Sequence, residues 1–273
     1  MTGATRTAYI FLIYTMLLAG MISFGCSTSD NGSTWEDSTP FPTQEVSGIW
    51  GGGFGSEFAI GIITEDNEAR FVGDYSQYVG DSGALTVKAN SAIFSGDLDK
   101  LTNDSSTIYT SNAETLTMTG WAAGGETLWG SLRYEESSQP GSFAFYDMND
   151  SYQVSPDVGD LSGQWEIEDA LVDDNTFALT ITSTSNTTTG AISGQDEIGN
   201  TLSGTISIHY SQEDPTPYNV YDVSLTLNNS QTLTGLATYV IEMDVEEITI
   251  ANKTLVIGAS NSQYSFGGLG TQP

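Results

Sequence analysis

Cations are the scarcest feature of this chain: its 273 residues hold 6 Lys+Arg against 35 Asp+Glu, a formal charge of −29. A protein that grips nucleic acid needs clustered cations to displace counterions from phosphates, so nucleic acid is excluded as a partner. Electrostatic attachment to anionic lipid is excluded on the same ground. There is one cysteine and one histidine, so no internal disulfide can form, and a His- or Cys-rich metal site is excluded. Charged residues make up only 15% of the chain while hydrophobic residues reach 38%, with 11% aromatics and 30 Gly. That composition is too apolar for a disordered acidic tail and supports a real core. After residue 22 no long apolar run occurs, and no segment carries a helical apolar face.

The one long apolar run is Ala8–Ile22, preceded by a single cation, Arg6, and followed by Ser23-Phe24-Gly25-Cys26. A charged start, an apolar stretch and small residues before a cleavage point read as an export signal. Cys26 is the chain's only cysteine, and its place directly after the run resembles the lipobox of bacterial lipoproteins. Gly25 fits the position before the cut, whereas Ser23 stands where that motif usually has Leu. The resemblance implies a signal peptide over 1–25 and diacylglycerol on the Cys26 thiol. With Ser27 next, it also implies release to the bacterial outer membrane, without saying on which face. An ordinary secretory peptide or an uncleaved anchor are the other readings of the same stretch. Residues 26–44 are rich in Ser, Thr, Asp, Asn and Pro, and read as a disordered tether spanning about 20–25 Å.

From Glu45 onward the apolar stretches are short and alternating, and Gly, Asn, Asp or Ser break them. Ala92–Leu98, Phe177–Ile181 and Val220–Leu227 are examples. A period of two with Thr, Ile, Val and Tyr enrichment predicts strands, and regular turn signals predict an antiparallel meander. The pattern is also written twice. Val46-Ser47-Gly48-Ile49-Trp50 returns as Leu161-Ser162-Gly163-Gln164-Trp165, and Glu114-Thr115-Leu116-Thr117 is echoed by Gln231-Thr232-Leu233-Thr234. Each half offers about eight strands, enough to close a small barrel. The expected fold class is all-β, two tandem antiparallel meander β-barrel domains over 45–147 and 161–273 with a polar join at 148–160. Gly51–Gly55 lacks the Lys-Ser/Thr of a phosphate loop and is expected to be a loop or bulge after the first strand. Phe58, Ile60 and Ile62 are expected to fill a barrel interior.

The doubled Gly-x-Trp resembles the opening strand of the lipocalin and avidin superfamily, in which the Trp closes one barrel end under a cation from a late strand. That resemblance implies structural roles for Gly48, Trp50, Gly163 and Trp165, with Arg133 over Trp50 and Lys253 over Trp165. It transfers no ligand residues. The overall layout of Cys, polar tether and repeated β domains resembles bacterial envelope lipoproteins of unassigned function.

Chemistry-bearing residues are sparse. His209 could serve as a base, but no G-x-S-x-G nucleophile elbow accompanies it. Asp173-Asp174-Asn175, Glu65-Asp66-Asn67-Glu68 and Asp147-Met148-Asn149-Asp150 offer oxygen donors without an EF-hand pattern, and read as solvated acidic turns. Glu242, Asp244 and Glu246 alternate with apolar residues, which would place three carboxylates on one strand face. Trp121 and Trp129 flank a hairpin turn at Ala122–Gly125; they could face solvent or point into the core. No catalytic residue, metal ligand or cofactor is expected, so the reading is a lipid-anchored envelope protein with a non-catalytic binding or structural role. Its partner would be the membrane through the anchor, then an envelope protein, a glycan or a small apolar ligand. A glycan hydrolase working through a carboxylate pair is the enzymatic alternative.

Overall fold

Alternation of apolar and polar side chains buries one face of each strand, and a chain of hairpins with that pattern satisfies every strand edge by closing on itself. A computed structural model describes residues 46–273 apart from 89–90, 104–108, 124–125, 136–139, 173–174, 185–186, 212–215, 242, 246–247 and 251–252. The export signal, Cys26 and the tether lie outside the described residues, as do Asp173, Asp174, Glu242 and Glu246. The described chain is nearly all β and forms two closed antiparallel barrels of eight strand positions each.

The first barrel contains β1 (Gly48–Phe54), β2 (Glu57–Ile63), β3 (Ala69–Gly73), β4 (Gln77–Gly80), β5 (Leu85–Val87), β6 (Ile93–Asn103), β7 (Ser111–Ala123), β8 (Thr127–Tyr134) and β9 (Pro140–Asp147). Pairing of β1 with β9 and of β4 with β6 closes it. β5 continues the β4 position along β6, after an interruption at 81–84. A one-turn helix, Asn149–Tyr152, and a 3-10 turn, Val158–Leu161, lead to the second barrel. Its strands are β10 (Gly163–Asp169), β11 (Thr176–Ser183), β12 (Thr189–Asp196), β13 (Thr201–Ile208), β14 (Tyr221–Leu227), β15 (Gln231–Val240), β18 (Thr254–Ser260) and β19 (Ser265–Thr271). β19 returns to β10 to complete the ring. A small hairpin of β16 (Met243–Val245) and β17 (Ile248–Ile250) stands off between β15 and β18. Of the acidic alternation, Asp244 lies in the described strand Met243–Val245.

Both interiors are filled. In the first barrel Trp50, Phe54, Phe71, Tyr78, Phe94, Phe143 and Phe145 are at most 4% exposed, and Phe54 alone meets Tyr78, Phe145 and Phe71 with ring centroids 3.9, 4.9 and 5.1 Å away. In the second, Trp165, Phe177, Tyr221, Tyr239 and Phe266 play that part. Burying each such ring contributes on the order of 1.5–3 kcal/mol.

The two Gly-x-Trp segments adopt the same geometry. Trp50 Nε1 donates to the Val46 carbonyl at 2.9 Å, and Trp165 Nε1 to the Leu161 carbonyl at 2.8 Å. Each indole thus satisfies its one donor on the backbone that leads into its own strand, which is what a fully buried Trp requires. Gly163 has φ +134 and a Cβ there would meet the Gln272 amide at 3.2 Å, so the glycine is required by backbone conformation.

Two local expectations are corrected. Gly51–Gly53 belong to β1 itself, and the bare backbones of Gly52 and Gly53 sit against the neighbouring strands: a Cβ on Gly52 would lie 2.1 Å from the Ala144 carbonyl oxygen. Phe58, Ile60 and Ile62 point away from the barrel interior, which receives Ala59 and Ile63 instead. They cover a third apolar cluster between the barrels, where Ile49, Ile60, Ile62 and Val72 meet Leu236, Val240, Val256 and Val220. Period two cannot distinguish the faces of a strand that is buried on both. The join also packs into this cluster through Met148 and Tyr152. Tyr152 stacks on Tyr218 at 4.6 Å, and Asn219 Nδ2 donates to the Ser151 and Tyr239 carbonyls at 2.8 and 2.7 Å.

Candidate functional site

With β1–β3 of the first barrel turned into the seam, its β6–β9 side is left facing outward. The register sorts that outer face into rows running across the strands. One row is Ile93, Trp121, Trp129 and Ala144; the next is Ser95, Thr119, Ser131 and Ser142; the third is Asp97, Thr117, Arg133 and Pro140. Trp121 and Trp129 are 44% and 49% exposed. They stand directly opposite each other and stack, with ring centroids 4.8 Å apart and planes 26° from parallel. Of the two placements the sequence left open, the structure has the solvent-facing one. Tyr146, also 44% exposed, lies on β9 opposite Thr127, one diagonal from Trp129. A cross-strand aromatic pair is worth about 0.5–1.5 kcal/mol beyond its buried area, yet these rings leave much of their surface in water.

All four members of the hydroxyl row are exposed. In the row beyond, Thr117 donates to Asp97 at 2.8 Å, and one step further Thr115 donates to Asp99 at 2.8 Å. Beside the aromatic end, the rim carries Glu126, Asp147 and Asp150. Burial, then the neighbouring Asp150 and Glu126 charges, push the Asp147 carboxyl up to about 6, against a lowering hydrogen bond from the Met148 backbone.

The cation placements taken from the lipocalin resemblance need correction. Arg133 is exposed on the third row and does not cover Trp50. Trp50 pairs with Asp147 while Arg133 pairs with Pro140 on the same β9 strand, so seven residues separate them, about 23 Å of strand. Lys253 does sit on an aromatic ring, but the ring is Tyr239: Nζ is 3.9 Å from its centroid and donates to the Asp160 carbonyl at 2.6 Å.

His209 follows β13 at the seam. Its Nδ1 is 2.8 Å from Asp222 and its Nε2 is 3.7 Å from Asp66 of the first barrel. Burial opposes protonation, but the Asp222 hydrogen bond and charge, with Asp66 and Glu68, outweigh it and raise the imidazole's pKa. The acidic stretch 65–68 is thus no mere solvated turn: Asp66 and Glu68 face the histidine, Glu68 pairs with the buried Arg70 at 3.5 Å, and Glu65 accepts from Tyr152. Among the described residues, no group of three or more His, Cys, Asp or Glu is placed to hold a metal ion.

One residue with no sequence signal ties the barrels together. Tyr109, in the β6–β7 connection of the first barrel, enters the core of the second and is 1% exposed. Its hydroxyl donates to Asp196 at 2.9 Å and accepts from the Asn175 amide at 2.6 Å, and its ring lies 5.9 Å from Phe177. Its φ of +68 is rare for a bulky residue and shows that the insertion outweighs local strain.

No family model and no curated protein matches the sequence. A solved structure that does match is the crystal structure of a "putative outer membrane protein" from Bacteroides fragilis, 12% identical, covering 85% of this chain and 97% of that one with a TM-score of 0.25. At that score the likeness carries no argument about this chain.

Proposed function

We propose that this chain is a lipid-anchored protein of the bacterial cell envelope, held at the outer membrane through Cys26, whose two-barrel body binds a partner on its outer surface and performs no catalysis. The observation that carries the binding role is the contrast between interior and exterior. Aromatic side chains fill both barrels, so a carrier of a small apolar ligand would lack interior room, while a stacked Trp pair is left in water on an outward face. Exposed large aromatics on an otherwise ordered sheet are a mark of recognition surfaces. The strong acidity speaks against nucleic acid and anionic lipid as partners of that face.

Two measurements test the two halves of the proposal. Native mass spectrometry of the protein taken from its own membrane fraction should show acyl chains that vanish in Cys26→Ala; an unmodified mass overturns the anchor. The Cys26→Ala chain should co-sediment with isolated envelopes, and Trp121→Ala with Trp129→Ala should abolish this. Equal sedimentation with and without the two indoles overturns the binding face.

A further inference from the structure

Resting on the binding face just proposed, we infer that its ligand is a neutral glycan, a chain of uncharged hexoses laid along β6–β9 with one sugar against Trp121 and Trp129. The first argument is the width of the apolar part. It is a narrow strip, the row Ile93, Trp121, Trp129 and Ala144 with Tyr146 one diagonal from Trp129, and exposed hydroxyls run immediately along its other side. A protein partner's hot spot sits in an apolar centre ringed by polar residues, and so narrow a strip gives no such centre. A sugar has the opposite make-up: a C–H face that packs on an aromatic ring and a rim of hydroxyls. The second argument is relief. The residues two along from the indoles are Thr119 and Ser131, whose side chains end at a hydroxyl, so the flank of each ring toward that row has no bulky neighbour on its own strand.

The third argument is charge. From Ile93 to Ala144 and from Ser95 to Ser142 the two rows contain no ionisable group; Lys88 stands exposed past Ile93, whose carbonyl accepts its backbone N–H, and the rim beside Trp129 is acidic through Glu126, Asp147 and Asp150. On a chain of net charge −29 an anionic polymer, an anionic membrane or a second copy of the chain meets repulsion. A neutral hydroxyl-rich chain does not, and its hydroxyls can donate to the rim carboxylates and exchange hydrogen bonds with Ser95, Thr119, Ser131 and Ser142.

The test is affinity electrophoresis of the full-length protein in neutral detergent, in native gels cast with hydroxyethyl cellulose, galactomannan or dextran, and with polygalacturonate as the anionic comparison. At least one neutral polymer should retard the wild type, and polygalacturonate should not. Trp121→Ala and Trp129→Ala should each weaken the retardation roughly tenfold or more, while losing the stack lowers the melting temperature by only about a few degrees and leaves the protein folded at the temperature of the gel. Retardation by none of the three neutral polymers, equal retardation by polygalacturonate, or retardation indifferent to both indoles overturns the inference. Periodate treatment of the envelopes, which destroys sugar diols, separates this failure from that of the binding face. Trp-dependent sedimentation that survives periodate keeps the face and discards the glycan, whereas sedimentation independent of the indoles discards both.

Discussion

Tyr109 gives the most exposed test of how the two barrels become one body. Tyr109→Phe removes a hydroxyl that donates to Asp196 at 2.9 Å and accepts from Asn175 at 2.6 Å. Asp196 keeps the backbone N–H groups of Ile198 and Asn200 and the Asn200 amide, so the charge is not orphaned. The loss should be that of one hydrogen bond to a charged group, about 1.5–3 kcal/mol. Tyr109→Ala removes the ring as well, from a site 1% exposed against Phe177, and should cost about 3–5 kcal/mol for the cavity with the polar loss on top. Tyr109→Gly makes the same hole but accepts the φ of +68, which costs an L-residue roughly 1–2 kcal/mol. Glycine should therefore be no worse than alanine despite its greater chain entropy. Urea unfolding gives the energies, and hydrogen exchange read separately over β1–β9 and β10–β19 shows where protection is lost. Wild type should unfold in one transition, and the alanine variant should open the second barrel before the first. An alanine variant that costs less than about 1 kcal/mol, or a second barrel whose protection does not change, refutes the idea that this side chain couples the barrels.

Three further outcomes follow from the same contacts. Burial opposes the His209 charge, but Asp222 from β14 and Asp66 and Glu68 from the β2–β3 turn outweigh it and raise its pKa, so it contributes stability that is complete below about 6.5 and lost as pH rises through the folded value; His209→Gln should flatten the fall in melting temperature as pH rises above about 6.5. Burial, the largest influence on Asp169, pushes its carboxyl up to about 6 despite hydrogen bonds from the Leu171 N–H and the Asn175 amide. The folded state then holds a proton that the unfolded state releases near 3.8, so stability declines as pH rises between those values, by about 3 kcal/mol. Urea midpoints at several pH values should show that decline shrink in Asp169→Asn. Lys253→Met should lower stability by about 1–2 kcal/mol through loss of the ammonium on Tyr239 and its hydrogen bond to Asp160, whereas Lys253→Arg should retain part of it; calorimetry of both variants distinguishes a specific contact from a bystander.

What could be read from the sequence was what is local. Hairpins with period-two alternation predicted strands and their number, and the doubled Gly-x-Trp marked the first strand of each barrel because its causes lie within a few residues: a glycine backbone and an indole bonded to the carbonyl four residues before it. Contacts between the halves left no such trace. β2 is apolar on both faces, so alternation could not say which set lines the barrel, and Phe58, Ile60 and Ile62 were assigned to the wrong side. Tyr109 sits in a hydroxyl-rich stretch where nothing distinguishes an anchor from a loop residue. The acids at 66 and 68 match any exposed turn until the second barrel brings His209 to them. Trp121 and Trp129 could be placed on one strand face by their register, but that register does not reveal whether the face is inside or out.

The few cations show how the outer face acquires its character. Arg70 is buried in the seam, donating to Ser260 at 2.8 Å; Lys100 lies 3.4 Å from Glu57; Lys253 is bound to Tyr239 and Asp160. Each of these holds strands or barrels together, so their charge is spent on architecture. Arg133 and Lys88 are different: both are exposed, Arg133 on the far side of the hydroxyl row from the tryptophans and Lys88 at the β5 end of the aromatic row, where its backbone N–H donates to the Ile93 carbonyl. The outward face therefore runs from aromatic, through uncharged hydroxyl, to a row with both an aspartate and an arginine. A surface selected only for solubility in so acidic a chain would spread carboxylates evenly over it. An uncharged hydroxyl row beside a stacked indole pair departs from that expectation, and the departure lies on the side of the first barrel that its packing against the second leaves open.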